Sequence, residues 1–185
     1  MKYLFFFFLL PVFSFGQVHQ TPEDIYFDKV IYIQDKSRDQ LFLAAREWYA
    51  EAFRKFPHTI SWEDRKNGKI VGYGDVAFKI KMENLIKVVG TIAKQSPNTH
   101  ARLLFVIKTY FKDGRTRLML TRTKVVRFKG QDVKAELPLS KFYFNNKKEA
   151  RTKLQGLKAY VAELFEKVAE DYERSVRKNS DGGEW

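Results

Sequence analysis

An apolar pattern with helical spacing follows Ser37. Its positions recur every three or four residues and comprise Leu41, Ala45, Trp48, Ala52 and Phe56. This spacing lines one face of an amphipathic helix. Ser37 is the expected N-cap, because a serine hydroxyl can accept a hydrogen bond from the first helical turn. Pro57 disfavours helical geometry at the residue before it, so the helix is expected to end near Phe56.

A second helical pattern lies near the carboxyl end of the chain. Its apolar positions are Leu154, Leu157, Val161, Leu164 and Val168. They again recur at three and four residues, which predicts the longer of two helices. Asn145 or Asn146 can cap its start. The glycine-containing segment 179–185 is predicted to be a flexible tail.

Between the two helical patterns, apolar and polar residues alternate. The alternating segments are 60–64, 70–81, 103–111 and 115–126, and they flank the dipeptides Asn67-Gly68 and Asp113-Gly114. Both dipeptides tolerate the positive φ angles of a type I′ turn, so each pair of segments is predicted to form a β-hairpin. A fifth strand is predicted at 30–33, where β-branched and aromatic residues follow one another.

The alternation gives the predicted sheet two different faces. In the segment 70–81, the even-numbered positions are apolar or glycine, whereas the polar face comprises the preceding Lys69 and, within the segment, Tyr73, Asp75, Lys79 and Lys81. An antiparallel sheet buries an apolar face by packing it against amphipathic helices. The predicted fold class is therefore α+β: a two-layer sandwich of a roughly five-stranded antiparallel sheet with two helices packed on one face.

Residues 1–16 have the pattern of an export signal. Lys2 precedes an apolar run from Tyr3 to Phe15, and the small residues Ser14 and Gly16 end the segment before Gln17. The run is shorter than the roughly 20 apolar residues of a membrane-spanning helix. We therefore expect a cleaved signal peptide and a periplasmic or secreted protein, with an uncleaved anchor as the alternative. Because Gln17 is not cysteine, lipidation at this site is excluded.

The remainder of the chain is expected to form one domain. It has no internal repeat and no linker, and we divide it into a leader at 17–28, a domain at 29–178 and the tail at 179–185. The chain contains no cysteine, so packing alone has to stabilise it. The formal net charge of +12 decreases by one with the loss of Lys2. The exported protein would therefore remain strongly basic.

The element order, with three local segments, resembles a known family. These segments are the helix containing Trp48, the strand Ile70-Val71-Gly72-Tyr73-Gly74 and the hairpin Asp113-Gly114-Arg115. They resemble the exported bacterial domain of unknown function 4468 family, which has a TATA-binding-protein-like (TBP-like) fold. The resemblance implies that fold but no activity and no site. TATA-binding protein contains two copies of this unit, so a single copy would need to form a homodimer to complete a saddle.

Cofactor and metal motifs are weak in this sequence. Gly72-Tyr73-Gly74-Asp75-Val76-Ala77 reads as the dinucleotide-binding pattern G-x-G-x-x-A, which requires a helix beginning within it. Here the glycines lie inside an alternating strand, where they favour a close approach of a helix aromatic, Trp48 or Phe53, or a bend. The three histidines are His19, His58 and His100. They do not have the spacing of a zinc site, so no cofactor or metal is predicted.

Catalytic motifs are equally weak. Glu63 and Asp64 are consecutive in a predicted strand and point to opposite faces, so they cannot act together on one bond. No serine lies in a nucleophile elbow. We predict no catalytic residue. The alternative is an enzyme, a hydrolase, with an unrecognised site in the irregular segment 82–100 or in the aromatic segment 142–144.

Basic residues interleaved with tyrosines are the strongest remaining signal. The candidate binding face comprises Tyr73, Lys79, Lys81, Lys108, Tyr110, Arg115 and Arg117. Such a pattern is typical of nucleic-acid binding, but an exported protein meets anionic envelope components and acidic proteins instead. We therefore expect a non-catalytic domain that binds one of these. A basic surface that only aids solubility is the alternative interpretation.

Overall fold

The structure, a computed structural model, describes residues 16–20, 25–53, 59–77, 99–129, 132–138 and 148–181. Within these ranges the chain forms seven strands and two helices. In chain order they are β1 (Gln17–Gln20), β2 (Ile25–Tyr32), α1 (Arg38–Ala52), β3 (Ile60–Asp64), β4 (Lys69–Ala77), β5 (Thr99–Lys112), β6 (Arg115–Lys129), β7 (Asp132–Pro138) and α2 (Lys148–Ser180).

The strands form one antiparallel sheet in the order β1-β2-β6-β5-β4-β3. β6 is long enough to pair with β2 along its first half and with β7 along its second half. β3–β4 and β5–β6 are the two hairpins that the sequence predicts. The α+β class with an antiparallel sheet and two helices is therefore confirmed, although the sheet has more strands than the five predicted.

The additional strands explain the differences from the predicted boundaries. Residues 17–28, predicted as a leader, contribute β1 and the first half of β2. β2 starts at Ile25 because Ile25, Phe27 and Ile31 all face the core. The sequence does not show this early start, because Lys29 interrupts the apolar alternation. β7 consists largely of lysine, alanine, glutamate and aspartate residues, which are depleted in strands.

The tight turns also differ from the predicted type I′ geometry. A type I′ turn needs positive φ at both central residues. Gly68 and Gly114 have φ values of 60° and 71°, but Asn67 and Asp113 do not have positive φ. Asn67 instead donates from its backbone and side-chain nitrogens to the Asp64 carboxylate, at 3.0 and 2.7 Å. The β3–β4 connection is therefore a longer turn closed by Asp64.

α1 begins where the sequence predicts. The Ser37 hydroxyl accepts a hydrogen bond from Gln40 N at 3.3 Å, and the Gln40 side chain accepts one from Ser37 N at 2.9 Å, which is a capping box. The helix ends at Ala52. The predicted stop at Phe56 and Pro57 lies outside the described residues.

α2 extends further than predicted. Asn179 and Ser180, predicted to belong to a flexible tail, are helical, and the Ser180 side chain is buried and donates to Arg177 O. The predicted caps Asn145 and Asn146 lie outside the described residues. The core-facing side chains of α2 are Val161, Phe165, Ala169, Tyr172 and Val176.

Both helices pack on the same face of the sheet, which we call the inner face. Trp48 of α1 stacks edge-on against Tyr172 of α2, with ring centroids 4.9 Å apart, and its Nε1 donates to Asp171 at 2.9 Å. The Thr116 hydroxyl of β6 lies 2.7 Å from the Tyr172 hydroxyl in the buried core. Aromatic packing and these polar contacts hold both helices on the inner face. Neither α1 nor α2 covers the opposite side of the sheet, which we call the outer face.

Candidate functional site

Strand alternation determines which side chains reach the outer face. Ile70, Ile107 and Leu118 are fully buried on the inner face. Their neighbours in sequence therefore point the other way. In the register of the sheet, Lys69 lies opposite Tyr110, and Tyr110 lies opposite Arg117.

The structure brings together the described part of the predicted binding face. Tyr73, Lys108, Tyr110, Arg115 and Arg117 lie on the outer face, on strands β4, β5 and β6. Lys79 and Lys81 lie outside the described residues. The predicted clustering of cations and tyrosines on one side of the sheet thus agrees with the register for these five positions.

Three outer-face residues form a cation–π arrangement that the sequence does not reveal. The Lys69 Nζ lies 5.3 Å from the ring centroid of Trp62 on β3 and 5.3 Å from that of Tyr110 on β5. Trp62 is 48% exposed and Tyr73, further along β4, is 55% exposed. We call Trp62, Lys69, Tyr73, Lys108 and Tyr110 the aromatic platform. The rings of Trp62 and Tyr73 remain accessible, although Trp62 and Tyr110 hold the Lys69 ammonium.

The carboxylates of Asp28, Asp64, Asp75 and Glu136, on the described part of the outer face, are already engaged. Asp28 accepts hydrogen bonds from Arg117, with 2.9 Å between Oδ1 and Nε, and this contact raises the pKa of the Arg117 guanidinium. Asp75 pairs with Arg102, and Glu136 with Lys124. Asp64 is bound by Asn67, whose hydrogen bonds lower the pKa of the Asp64 carboxyl.

Two exposed cations face each other at the end of the β5–β6 hairpin. Lys112 and Arg115 are directly opposite across the strands. Like charges in this position destabilise a sheet. No described carboxylate pairs with either of them, or with Lys108. The hairpin end and the platform therefore carry positive charge that the described part of the chain does not neutralise.

The exposed area occupies only part of the outer face. Towards the opposite end of β4 and β6, Asp75 is 8% and Val126 1% exposed. Half-buried apolar side chains, among them Val71, Val106 and Met119, lie between the cations and the rings of the open part. The open part is therefore amphipathic and not uniformly basic.

Three of these residues were missed by the sequence reasoning. Trp62 could not be assigned to a face, because the register between β3 and β4 shifts at Ile60 and Trp62. Lys69 was assigned to the polar face of its strand but not to the predicted binding face, and Lys112 was not assigned to either face. A strict alternation count outward from Gly68 and Gly114 would have found both lysines, but it cannot find Trp62.

β6 also contains an irregularity that changes which of its cations share the outer face. The pairing between β5 and β6 shifts between Leu104 and Val106, and Arg122 has a φ of 51°. This β-bulge changes the phase of the alternation. Arg117 and Lys124 consequently both face outward, although one has an odd and the other an even residue number.

The described residues contain no cluster of histidine, aspartate and glutamate that could hold a metal ion. The ring of His19 stacks on Tyr26 at 4.9 Å. Gly72 and Gly74 lie within β4, and no helix begins there, so the G-x-G-x-x-A pattern is structural. The segments 82–98 and 142–144, the alternative enzyme site, and His58 lie outside the described residues, as does the side chain of His100.

An open cleft of about 780 Å³ lies between the start of α1 and the two hairpin turns. Its carboxylates are used internally: Asp113 accepts a hydrogen bond from Arg38 N at 2.7 Å, and Asp39 pairs with Arg65. These contacts fasten α1 to the turns.

Within the described ranges, no helix is long and apolar enough to cross a membrane.

Comparisons with known proteins identify the family. The sequence profile of the domain of unknown function DUF4468, described as having a TBP-like fold, matches residues 27–125, which is more than half of the chain. The chain therefore belongs to this family. No curated protein matches it significantly.

Two solved structures share the fold. A DUF4468 family protein from Bacteroides ovatus superposes with a TM-score of 0.57 at 16% identity, covering 84% of this chain and 90% of that one. A TBP-like protein from Parabacteroides distasonis superposes with a TM-score of 0.55 at 13% identity, covering 83% of this chain and 96% of that one. At these identities the likeness concerns the fold alone.

Proposed function

We propose that this DUF4468 family member is a non-catalytic binding domain that holds an anionic partner on the open part of its outer face. The observation that carries the proposal is the imbalance of charge there. The carboxylates of this face are engaged by neighbouring side chains, whereas Lys108, Lys112 and Arg115 have no described partner. An anion bound across Lys112 and Arg115 would relieve their mutual repulsion.

The aromatic platform adds contact area beside these cations. Exposed tryptophan and tyrosine side chains contribute strongly to binding when a partner covers them. Exposed charges contribute to the rate of encounter, and salt screens their effect. The affinity should therefore decrease as salt is added, and the aromatic platform should provide the affinity that remains at high salt.

The test is a charge reversal with a matched control. Lys112→Glu with Arg115→Glu changes the net charge by the same amount as Arg174→Glu with Lys178→Glu on the exposed side of α2. We expect the first pair of substitutions to abolish retention on a bacterial envelope preparation. The second pair should leave retention at the wild-type level. Equal retention of both variants would overturn the proposal.

We also propose that the protein is exported and that its signal is cut after Gly16. The support is the short apolar run with Ser14 and Gly16 at its end. Sequencing the amino terminus from a periplasmic or secreted fraction should give Gln17. Ser14→Tyr should block the cut, because it places a bulky ring where a small residue is required. Full-length wild-type protein in the cytoplasm would contradict export.

A further inference from the structure

The open outer face has the features needed to bind an acidic polysaccharide, a chain of sugar rings that carries carboxylate or similar groups at intervals. We infer that such a polymer is the partner, and this inference rests on the binding function proposed above. Two observations support it: the accessible rings and the low density of cations without a described acidic partner.

The rings of the platform require a partner with apolar surface. Trp62 and Tyr73 are each about half exposed, on neighbouring strands. The face of an aromatic ring carries partial negative charge. The C–H groups on one side of a sugar ring are apolar and weakly positive, so sugar rings can stack on Trp62 and Tyr73. An acidic peptide segment would satisfy the cations but would leave these rings uncovered.

The charge density of the face favours a sparsely charged polymer. The cations without a described acidic partner are Lys69, Lys108, Lys112 and Arg115. Carboxylates of Asp28 and Asp64 lie on the same face. A nucleic acid presents one phosphate per nucleotide and is bound by dense basic surfaces. A polysaccharide with one charge on every second ring matches spaced cations with fewer unfavourable contacts.

The sheet geometry indicates how the polymer would lie. Adjacent strands are about 4.8 Å apart, and outward-facing residues on one strand are about 6.7 Å apart. Tyr73 and Lys108 are on neighbouring strands, and Lys112 and Arg115 continue the row of cations to the hairpin end. A chain running from Tyr73 to Arg115 would therefore pass Lys108, the Tyr110 ring and Lys112, so that rings and cations alternate along it.

The experiment compares four defined polymers with the complete protein. Hyaluronan carries one carboxylate on every second sugar ring, dextran is neutral, poly-L-glutamate is anionic without rings, and oligo(dT) combines bases with phosphates. At 0.15 M salt we expect hyaluronan to bind at least about tenfold more tightly than poly-L-glutamate or oligo(dT), and dextran not to bind. Equal or tighter binding of either of those anionic polymers would overturn the polysaccharide inference but leave the anionic-partner proposal intact. Failure of all the anionic polymers to bind would overturn both.

Variants separate the rings from the charges. Trp62→Ala with Tyr73→Ala should weaken hyaluronan binding about tenfold or more and leave poly-L-glutamate binding unchanged, because stacking on exposed rings is typically lost with the ring. Leu43→Ala, at an exposed position of α1 away from the outer face, is the control and should bind like the wild type. Urea unfolding checks that each variant is folded. If the double alanine variant is folded and binds hyaluronan normally, the rings are not used and the inference is wrong.

Discussion

Gly72 and Gly74 lie in the middle of β4, where aromatic rings of α1 touch the sheet. A methyl group at Gly72 would lie 2.5 Å from Thr59 O and 2.7 Å from Tyr49 Cε1. At Gly74 it would lie 2.8 Å from the Phe53 ring. The expected approach of a helix aromatic is thus confirmed for Phe53, but the ring over Gly72 belongs to Tyr49 and not to Trp48.

Replacing Gly72 by alanine should therefore destabilise the fold. Both close contacts are with atoms that cannot turn away freely, one in the backbone and one in a buried ring. Overpacking of this kind typically costs about 1–3 kcal/mol. We expect the urea midpoint of Gly72→Ala to decrease accordingly.

Gly114→Asn provides the comparison for Gly72. Gly114 has a positive φ but has no atom near the position of an added Cβ. Asparagine tolerates this backbone conformation, so the stability of Gly114→Asn should be close to that of the wild type. A Gly72→Ala midpoint equal to that of Gly114→Asn would show that the sheet can relax around the added methyl group.

Lys29 is a charged residue on the inner face. It is 6% exposed, and its Nζ lies 2.6 Å from Glu166 and 3.8 Å from Glu173 of α2. Glu166→Gln removes the closest carboxylate from a buried ammonium, whereas Lys29→Met leaves a Glu166 side chain that is 35% exposed and can turn to water. We expect Glu166→Gln to cost about 1–3 kcal/mol and Lys29→Met to cost less.

Urea unfolding of the two variants at neutral pH tests this asymmetry. Lys167→Met, at an exposed i,i+4 pair with Glu163 on the same helix, serves as the control and should change stability by less than about 0.5 kcal/mol. If Lys29→Met were the more damaging substitution, the carboxylates of Glu166 and Glu173 would depend on the Lys29 ammonium more than the ammonium depends on Glu166.

At the level of elements, the start of α1 depends more on the Ser37 side chain than on any other in the first turn. Ser37 and Gln40 satisfy each other's backbone N–H groups. Ser37→Ala should cost about 1 kcal/mol, because a backbone donor in the first turn loses its partner. Glu47→Ala, at an exposed position in the middle of α1, should be nearly neutral. Thermal unfolding of both variants measures the difference, and equal melting temperatures would show that Asp113 alone suffices to cap the helix.

The sequence predicts an element best where a short motif reflects a single local requirement, such as a positive φ angle in a turn. Asn67-Gly68 and Asp113-Gly114 place both hairpins correctly, because glycine provides the positive φ that each turn needs. The turn type is not predictable in this way, since it depends on contacts such as Arg38 N with Asp113 from α1. β1 and β7 were missed because their stability comes from pairing with β2 and β6, which the sequence does not display.

At the level of the whole molecule, the two faces of the sheet follow from alternation. The candidate site could be located on the outer face because Tyr73 and Lys108 alternate with buried residues. Which charges remain free could not be predicted. The Arg117 pair with Asp28 joins β6 to β2, and the contact of Lys69 with Trp62 joins β4 to β3. The first depends on strand order and the second on the register shift at Trp62, and alternation within single strands reveals neither.

Global stability should fall steeply at alkaline pH because of two phenols between the layers. Burial raises the pKa of both Tyr49 and Tyr172 well above the ordinary value, and Tyr172 is held by Thr116. Above about pH 10 the unfolded chain loses these protons while the folded chain keeps them. The unfolded state then binds fewer protons, so the free energy of unfolding decreases by up to about 1.4 kcal/mol per pH unit for each tyrosine.

Urea unfolding between pH 8 and 11 should resolve the contribution of Tyr172. Tyr172→Phe should be less stable than the wild type at pH 8, because the Thr116 hydroxyl loses its partner. Its stability should decline less with pH, so the two curves should converge as pH rises through 10. Leu43→Ala, which changes no ionisable group, should follow the wild-type slope. Parallel curves for Tyr172→Phe and the wild type would mean that the phenol between the layers ionises as readily in the folded protein as in the unfolded chain, and that the two layers admit water there.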